Sequence, residues 1–398
     1  MRIIKTVIQN KKVRIITAAA VSVVVPLAAT ITADILPKTY KYMYEAAIYS
    51  DISVKPFSNE AKMNNGELVL FIPKDELEQT ELDVEIPIEE EKIKGILLSQ
   101  NISTEKEDLS VYKSNSGVIT EVTFDGSAGA DFINLPDGGQ VRNCTDLSNE
   151  LVFEETLKDF EIELDFYGDE PQILIMHTHT TESYEPYEKK YYDDEYICRS
   201  FDVENSVVAV GRAMAEELSS AGISVIHDGT VHDAQYMGAY DRSLETVQKI
   251  LDEFPSVKII LDVHRDAIED EGERISAVTE IDGKKAAQVM IISAADDGTY
   301  NMPNYLENFH FACGLQQAIE SRYPTLTRPV LFQYCQYNQQ LSTGSLLLEI
   351  GSHGNTVEQA VYTGRLIGKA IAEMFKERTI VEKEVMNTLP RFFLDRLR

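Results

Sequence analysis

Residues 173–184 have the sequence ILIMHTHTTESY, in which four apolar residues are followed at once by two histidines and a glutamate. A short apolar run of this kind is typical of a strand buried in a parallel sheet. The polar residues then lie just past the carboxyl end of that strand, where open α/β sheets gather their functional side chains. The stretch therefore predicts both the class of fold and the place where its chemistry is concentrated.

Apolar runs and helically spaced apolar residues alternate from residue 172 to residue 378. The predicted strands are 173–176, 223–226, 257–261 and 345–350. The predicted helices are 203–218, 240–254, 306–319 and 357–375. A hairpin of 275–281 and 286–292 is predicted around Asp282-Gly283, a turn-forming pair. This alternation predicts an α/β domain of three layers with a mostly parallel sheet over 172–378.

A basic segment followed by an apolar run begins the chain. Five Lys and Arg residues and no acidic residue occupy the first fourteen positions, and an uncharged run follows over 15–33. As a helix this run extends about 28 Å, close to the thickness of the hydrocarbon core. Residues 1–37 are therefore predicted to be a cytoplasmic basic segment and a single-pass membrane anchor, with the rest of the chain outside the cytoplasm. A cleaved signal peptide ending near Ala33 is the alternative.

The segments that flank the predicted domain carry weaker patterns. Residues 38–110 contain acidic runs and are predicted to be a stalk or linker. Residues 111–171 alternate in a strand-like manner between Gly- and Pro-containing turns, which predicts a β-rich arm. Residues 379–398 form a C-terminal tail.

Composition excludes several classes of protein. The chain has 398 residues and a formal net charge of −29, which argues against nucleic-acid binding because phosphate contacts need clustered Lys and Arg. Its four cysteines include no C-x-x-C pair, so neither a zinc–thiolate site nor a disulfide framework is predicted. The sequence has no G-x-S-x-G, Walker or G-x-G-x-x-G motif, which argues against a serine hydrolase and against nucleotide chemistry.

Polar residues at three strand ends indicate a catalytic zinc site. His179 and Glu182 follow the first strand in an H-x-x-E pair, and His264 follows the third strand. Zinc binds His nitrogen and carboxylate oxygen, and a catalytic site keeps one position open for water. These three residues are the predicted Zn²⁺ ligands.

Two further residues are predicted to act on the substrate. Glu349 ends the very apolar last strand, where burial raises the pKa of a carboxyl, and it is the predicted general base. Arg265 is a candidate for polarising the scissile carbonyl, with a salt bridge to Asp262 or Asp266 as the alternative.

Two ligand choices stay open. His177 lies two residues from His179, so on extended backbone the two share a face, and either one binds the metal while the other packs or supports it. Glu204, at the start of the first long helix, is the alternative to Glu182; a carboxylate there also stabilises a helix N-terminus.

The three motifs together resemble the stage II sporulation protein P family. The resemblance rests on residues 177–184 (HTHTTESY), 262–267 (DVHRDA) and 348–356 (LEIGSHGNT), supported by NSVVAVG at 205–211 and Asp241-Arg-Ser. That family is similar to zinc N-acetylmuramoyl-L-alanine amidases, in which the carboxylate ligand tends to open the first helix; this keeps Glu204 under consideration.

The resemblance implies a function. It implies peptidoglycan hydrolysis, by amidase and endopeptidase activity, during engulfment of the forespore, with stage II sporulation proteins D and M as partners. It agrees with a chain anchored in the engulfing membrane. An extracellular metallopeptidase of the carboxypeptidase type and a non-catalytic wall-binding scaffold are the alternative functions.

Overall fold

A computed structural model of the chain describes residues 96–98 and 109–388. Its strands are β1 Ile96–Leu98, β2 Gly117–Val122, β3 Phe132–Asn134, β4 Gln140–Asn143, β5 Ile173–Met176, β6 Tyr191–Tyr192, β7 Val225–His227, β8 Ile259–Asp266, β9 Glu269–Asp270, β10 Glu273–Ile281, β11 Lys284–Ala287, β12 Val289–Ala295, β13 Val330–Tyr334 and β14 Gly344–Ser352. Its α-helices are α1 Asn149–Thr156, α2 Val207–Ser220, α3 Ala239–Glu253, α4 Tyr305–Arg322 and α5 Val357–Thr388. Two 3₁₀ turns span Leu109–Val111 and Gln339–Leu341.

Nine of the described strands form one mixed sheet in the order β1-β7-β5-β8-β14-β12-β13-β4-β3. The pairs β12–β14 and β3–β4 are antiparallel, and the other six pairings are parallel. Strands β5, β8 and β14 are consecutive neighbours, so their carboxyl ends meet at one edge of the sheet.

Helices cover both faces of this sheet, which gives the three layers that the sequence predicts. Ile173 and Ile175 of β5 belong to the same apolar cluster as Met214 of α2. Leu174 and Met176, which alternate with them, pack in a second cluster with residues of α3. The alternation puts every β5 side chain into one of two apolar layers, and this is why the strand is a continuous apolar run.

Helices α2 and α5 pack closely on one face of the sheet. A Cβ atom at Gly364 of α5 would lie 2.6 Å from the carbonyl oxygen of Val210 in α2. Only glycine therefore permits this separation of the two helices.

Five other described strands form a smaller sheet in which β11, β10, β2 and β6 follow one another and β9 also pairs with β10. The predicted hairpin turn is present between β10 and β11: Asp282 and Gly283 have φ values of 51° and 72°, as its left-handed geometry requires. The second strand of the prediction divides at Gln288. Its first part stays in the smaller sheet as β11, and its second part enters the large sheet as β12.

The large sheet extends beyond the predicted 172–378 segment. Strand β1 comes from the predicted stalk, and β3 and β4 come from the predicted arm; all three lie in the nine-stranded sheet. The sequence pattern does not predict helix α1 or strand β13, and α5 continues into the predicted tail. The predicted anchor lies outside the described residues. None of the described helices combines the length and the apolar character needed to cross a bilayer.

Candidate active site

The three polar strand ends meet, as the sequence predicts. Met176 at the end of β5 is paired with Asp262 of β8, and His264 of β8 is paired with Glu349 of β14. Side chains of directly paired residues lie on the same face of a sheet, so the side chains of His264 and Glu349 are neighbours on adjacent strands. The loop that carries His179 and Glu182 begins at the same edge.

His264 lies between two carboxylates. Its Nδ1 is 3.4 Å from Glu182 Oε2, and its Nε2 is 2.8 Å from Asp262 Oδ1, although the second contact does not follow an N–H hydrogen-bond direction. The residue is only 3% exposed. Burial disfavours the charged imidazolium, but the two carboxylates outweigh it and raise the pKa of His264 well above its ordinary value. The ring is therefore held in a strongly negative setting.

Glu182 is held in place by its own turn and by the neighbouring strand. Its backbone N–H donates to the carbonyl of His179 (3.0 Å), which closes a turn and brings the two side chains to one place. The backbone N–H of Arg265 donates to Glu182 Oε2 (3.1 Å). Burial would raise the pKa of Glu182, but the nearby His264 lowers it overall. Glu182 is therefore a carboxylate aimed at His264.

His179 lies beside the other two predicted ligands. Its ring centroid is 5.4 Å from that of His264, and the ring stacks on Tyr236 at 4.7 Å with an interplanar angle of 7°. Its Nδ1 is 3.8 Å from Asp233 Oδ2 and forms no hydrogen bond, although the atom is buried. A buried ring nitrogen that lies beside a carboxylate but has no hydrogen-bond partner can accept a ligand.

His177 points elsewhere and packs under helix α2. Its Nδ1 lies 2.9 Å from the carbonyl oxygen of Val263, and its Nε2 lies 3.0 Å from Nε2 of His227. Burial lowers its pKa to about 4, so the ring is neutral. A Cβ atom at Gly211 would lie 2.7 Å from the His177 ring, so glycine is required there. The structure brings His179, and not His177, next to His264.

Glu349 is buried on β14 with an unused acceptor. Only 6% of its surface is exposed, and Oε2 has no hydrogen-bond partner. Burial, together with the charge of Asp266, raises its pKa well above the ordinary value. Asp266 in turn binds Arg328, whose Nη1 lies 2.8 Å from Asp266 Oδ2. A carboxylate whose pKa is raised is a stronger base than an ordinary glutamate.

The structure places two other candidates outside this cluster. Glu204 lies on the surface, with 61% of its side chain exposed, and pairs with Arg212 at 2.7 Å. The predicted role of Arg265 in polarising a carbonyl is not what its contacts indicate. Its guanidinium is buried and donates to the carbonyls of Ser183 and Cys198 at 3.1 and 3.0 Å. Arg265 therefore holds the loop that carries Glu182.

Sequence reasoning did not identify several side chains around the site. Asp262 precedes His264 by two residues on a strand, and this spacing could have predicted that both share a face. Tyr236, in the loop before α3, and Tyr240, in its first turn, have no such signal. The ring of Tyr240 lies 5.7 Å from that of His179 and 6.5 Å from that of His264.

Histidine nitrogens and a carboxylate oxygen are ligands that zinc prefers. The distance between two of these atoms, His264 Nδ1 and Glu182 Oε2, also suits a shared zinc ion. Two tetrahedral ligands at about 2.1 Å from an ion lie about 3.4 Å apart, which matches the distance from His264 Nδ1 to Glu182 Oε2. Asp262 beside the other nitrogen of His264 is the carboxylate that commonly orients a metal-binding histidine. Among the described residues, no three His, Cys, Asp or Glu side chains already surround a single point.

Comparison with known proteins places the chain in a family. The family model for "Stage II sporulation protein P (SpoIIP)" matches residues 58–372. The stage II sporulation protein P of Bacillus subtilis (strain 168) is 28% identical over 220 residues, which cover 52% of this chain and 52% of that protein. The match thus spans about half the length of that curated relative.

Solved structures of three hydrolases share a weak overall similarity with the chain. The CwlD amidase from Clostridioides difficile, in complex with the GerS lipoprotein, has a TM-score of 0.35 at 11% identity and covers 52% of this chain and 98% of its own. The N-acetylmuramoyl-L-alanine amidase AmiC2 of Nostoc punctiforme has a TM-score of 0.32 at 10% identity, with 52% and 97% covered. A metallo-carboxypeptidase from Burkholderia cenocepacia has a TM-score of 0.29 at 11% identity, with 53% and 58% covered. Similarity at this level does not define a function.

Proposed function

The chain belongs to the stage II sporulation protein P family, and from this premise we propose that it is a zinc-dependent peptidoglycan hydrolase that cleaves the N-acetylmuramoyl–L-alanine amide. The observation that carries the proposal is the cluster at the ends of β5, β8 and β14. Glu182 Oε2 lies 3.4 Å from His264 Nδ1, and the ring of His179 lies beside that of His264. Glu349 is the residue paired with His264 on the adjacent strand. Two histidines, one ligating carboxylate and a separate buried carboxylate are the set that a metal-dependent amide hydrolase requires.

His179, Glu182 and His264 would hold the metal. A bound Zn²⁺ supplies positive charge that lowers the pKa of a water toward about 7 and polarises a carbonyl. Asp262 places a carboxylate oxygen 2.8 Å from Nε2 of His264. Arg265 keeps the loop of Glu182 closed through its bonds to the carbonyls of Ser183 and Cys198.

Glu349 is the proposed general base and then the general acid. It takes a proton from the attacking water as the water oxygen bonds to the amide carbon. It then gives that proton to the amide nitrogen as the carbon–nitrogen bond breaks. The products are the lactyl carboxylate of muramic acid and the free amino group of L-alanine. The raised pKa of Glu349 suits a group that must accept and return a proton in one reaction cycle.

The setting of this activity is also proposed. The basic segment and uncharged run of residues 1–37 would anchor the chain in the membrane that engulfs the forespore, with the catalytic domain outside the cytoplasm. Family membership supports peptidoglycan as the substrate, an additional endopeptidase activity and stage II sporulation proteins D and M as partners.

The full-length chain, purified in detergent, tests the proposal on purified sacculi. New L-alanine amino groups should appear without new reducing sugar ends. Activity should disappear after chelation and return when Zn²⁺ is added, and Glu204→Gln should behave like the parent because Glu204 lies on the surface. Release of C-terminal D-alanine alone would favour a carboxypeptidase. Full activity after exhaustive chelation would contradict a zinc-dependent mechanism.

A further inference from the structure

Tyr240 lies against the candidate site but is neither a proposed metal ligand nor the proposed base. It is the second residue of α3 and is partly exposed. Its ring meets His179 edge-on, with centroids 5.7 Å apart, and is nearly parallel to His264, with centroids 6.5 Å apart and an interplanar angle of 11°. The tyrosine therefore faces both histidines that are proposed to hold the metal.

The surrounding chain fixes the position of this ring. Asn338 Nδ2 donates to the carbonyl of Tyr240 (3.0 Å) and to Ser243 Oγ (3.1 Å). The ring of Tyr337 packs against that of Tyr240, with centroids 5.3 Å apart. Tyr337 and Asn338 both have positive φ values, 46° and 56°, which is costly for two consecutive residues that are not glycine. Strained backbone thus positions both residues that support Tyr240.

The hydroxyl of Tyr240 is not used by the fold. Within the described part of the chain it makes no hydrogen bond, whereas the hydroxyls of Tyr184 and Tyr196 donate to backbone carbonyls at 3.0 and 2.8 Å. Tyrosine hydroxyls close to a protein interior usually have a partner. Burial, together with the nearby charges of Asp262 and Glu349, raises the pKa of Tyr240 well above its ordinary value, so the hydroxyl keeps its proton.

We infer that Tyr240 is a further catalytic residue, whose hydroxyl donates a hydrogen bond to the carbonyl oxygen of the scissile amide. This role rests on the proposed hydrolase function. As the water oxygen bonds to the amide carbon, the electron pair of the C=O double bond moves to that carbonyl oxygen, which becomes an oxyanion. Tyr240 keeps its proton and donates to the oxyanion; the proton of the water goes to Glu349 and then to the leaving nitrogen. A donor already held in place stabilises this charge without reorganisation.

Tyr240→Phe tests the role, because it removes one oxygen and keeps the ring that packs on His179 and Tyr337. In the full-length chain, kcat on a soluble N-acetylmuramoyl peptide should fall about 10²-fold, the usual effect of one oxyanion donor. KM, zinc content and thermal unfolding temperature should stay close to those of the parent. Tyr323→Phe is the matched control, because it removes the same oxygen far from the site. The charged and polar side chains near the Tyr323 hydroxyl all lie outside the site: Glu373, Arg322, Asp282 and Tyr362.

The possible outcomes separate this role from the proposed function. If the parent hydrolyses the amide and Tyr240→Phe has the same kcat, Tyr240 is not catalytic and the amidase proposal stands. Loss of zinc or of folded structure in Tyr240→Phe also contradicts the role, because the oxygen would then be structural. If the parent cleaves another bond of the peptide, the amidase proposal fails and the same kcat comparison is made on that bond. Absence of all hydrolysis by the parent contradicts both.

Discussion

His264 on β8 and Glu349 on β14 are paired residues of two neighbouring parallel strands, and both side chains are buried. The pairing puts a carboxyl with a raised pKa beside a histidine that two other carboxylates surround. Glu349 is thus adjacent to the proposed ligands and is not needed as one of them. A base and a metal ligand separated by one strand spacing can be tested independently.

Glu349→Gln should keep the metal and lose the activity. Glutamine has the same size but cannot take a proton, so turnover of sacculi should fall by roughly 10²–10⁴-fold, the usual contribution of a positioned acid–base group. Zinc content and thermal unfolding of the purified variant should match those of the parent. Glu280→Gln, on the exposed surface of β10, is the control. Full turnover by Glu349→Gln would remove Glu349 from the mechanism.

Metal content should distinguish Glu182 from Glu204. Glu182→Gln should bind zinc more weakly, because the amide has no negative charge and only one oxygen to offer the metal. His264→Ala should lose zinc. Glu204→Gln should keep one zinc per chain and change stability only slightly, since it breaks a surface pair with Arg212. Elemental analysis of the dialysed variants measures all three. Zinc lost from the Glu204 variant but kept in the Glu182 variant would reverse the choice of ligand.

Acid should destabilise the metal-free chain through its buried histidine pair. Burial holds the pKa of His177 at about 4 and lowers that of His227 well below its ordinary value. A group whose folded pKa is lowered stabilises the fold fully above its unfolded pKa, about 6.5, and this stability is lost as pH falls toward the folded pKa. The free energy of unfolding should therefore decrease between about pH 6.5 and pH 4.

His227→Gln isolates this effect from the titration of carboxylates. The glutamine amide can still donate to His177 Nε2 but does not titrate. Denaturant unfolding at pH 7, 5.5 and 4.5, after chelation, should show a shallower pH dependence in the variant than in the parent. Equal slopes in the two chains would show that His227 does not govern the loss of stability.

Removal of residues 1–37 should release the chain from membranes. The full-length protein should sediment with membranes because the uncharged run at 15–33 is long enough to span the hydrocarbon core. A reporter fused after Arg398 should be active only outside the cytoplasm. As a control, replacement of Lys11 and Lys12 by glutamine should make the orientation of the anchor in the membrane less uniform, but the chain should still sediment with membranes. A soluble mature form that begins near Asp34 would favour a cleaved signal peptide.

Most of the central fold could be predicted because the relevant signals are local. The apolar run 173–176 and the spacing of Val207, Val210, Met214 and Leu218 depend only on which faces are buried. The sequence does not predict strand β13, because the five residues after Pro329 are too few to show a clear period of apolar residues. Residues 111–171 are predicted to be β-rich, but nothing local indicates that β3 and β4 join the large sheet, or that β1, within the predicted stalk, is a strand of it.

The sequence by itself determined the chemical types at the site: histidines and carboxylates directly after apolar strands, in motifs that identify the family. Only the tertiary structure decided which of them meet. His177 lies outside the metal cluster because its ring contacts His227, fifty residues away in sequence. The absence of a side chain at Gly211 of α2 leaves space for that ring. Tyr240 is brought to the site by Asn338, from a loop almost one hundred residues later. Periodicity reports which face of an element is buried, whereas contacts between distant segments depend on how the faces of several elements pack together, and no single stretch of sequence contains that information.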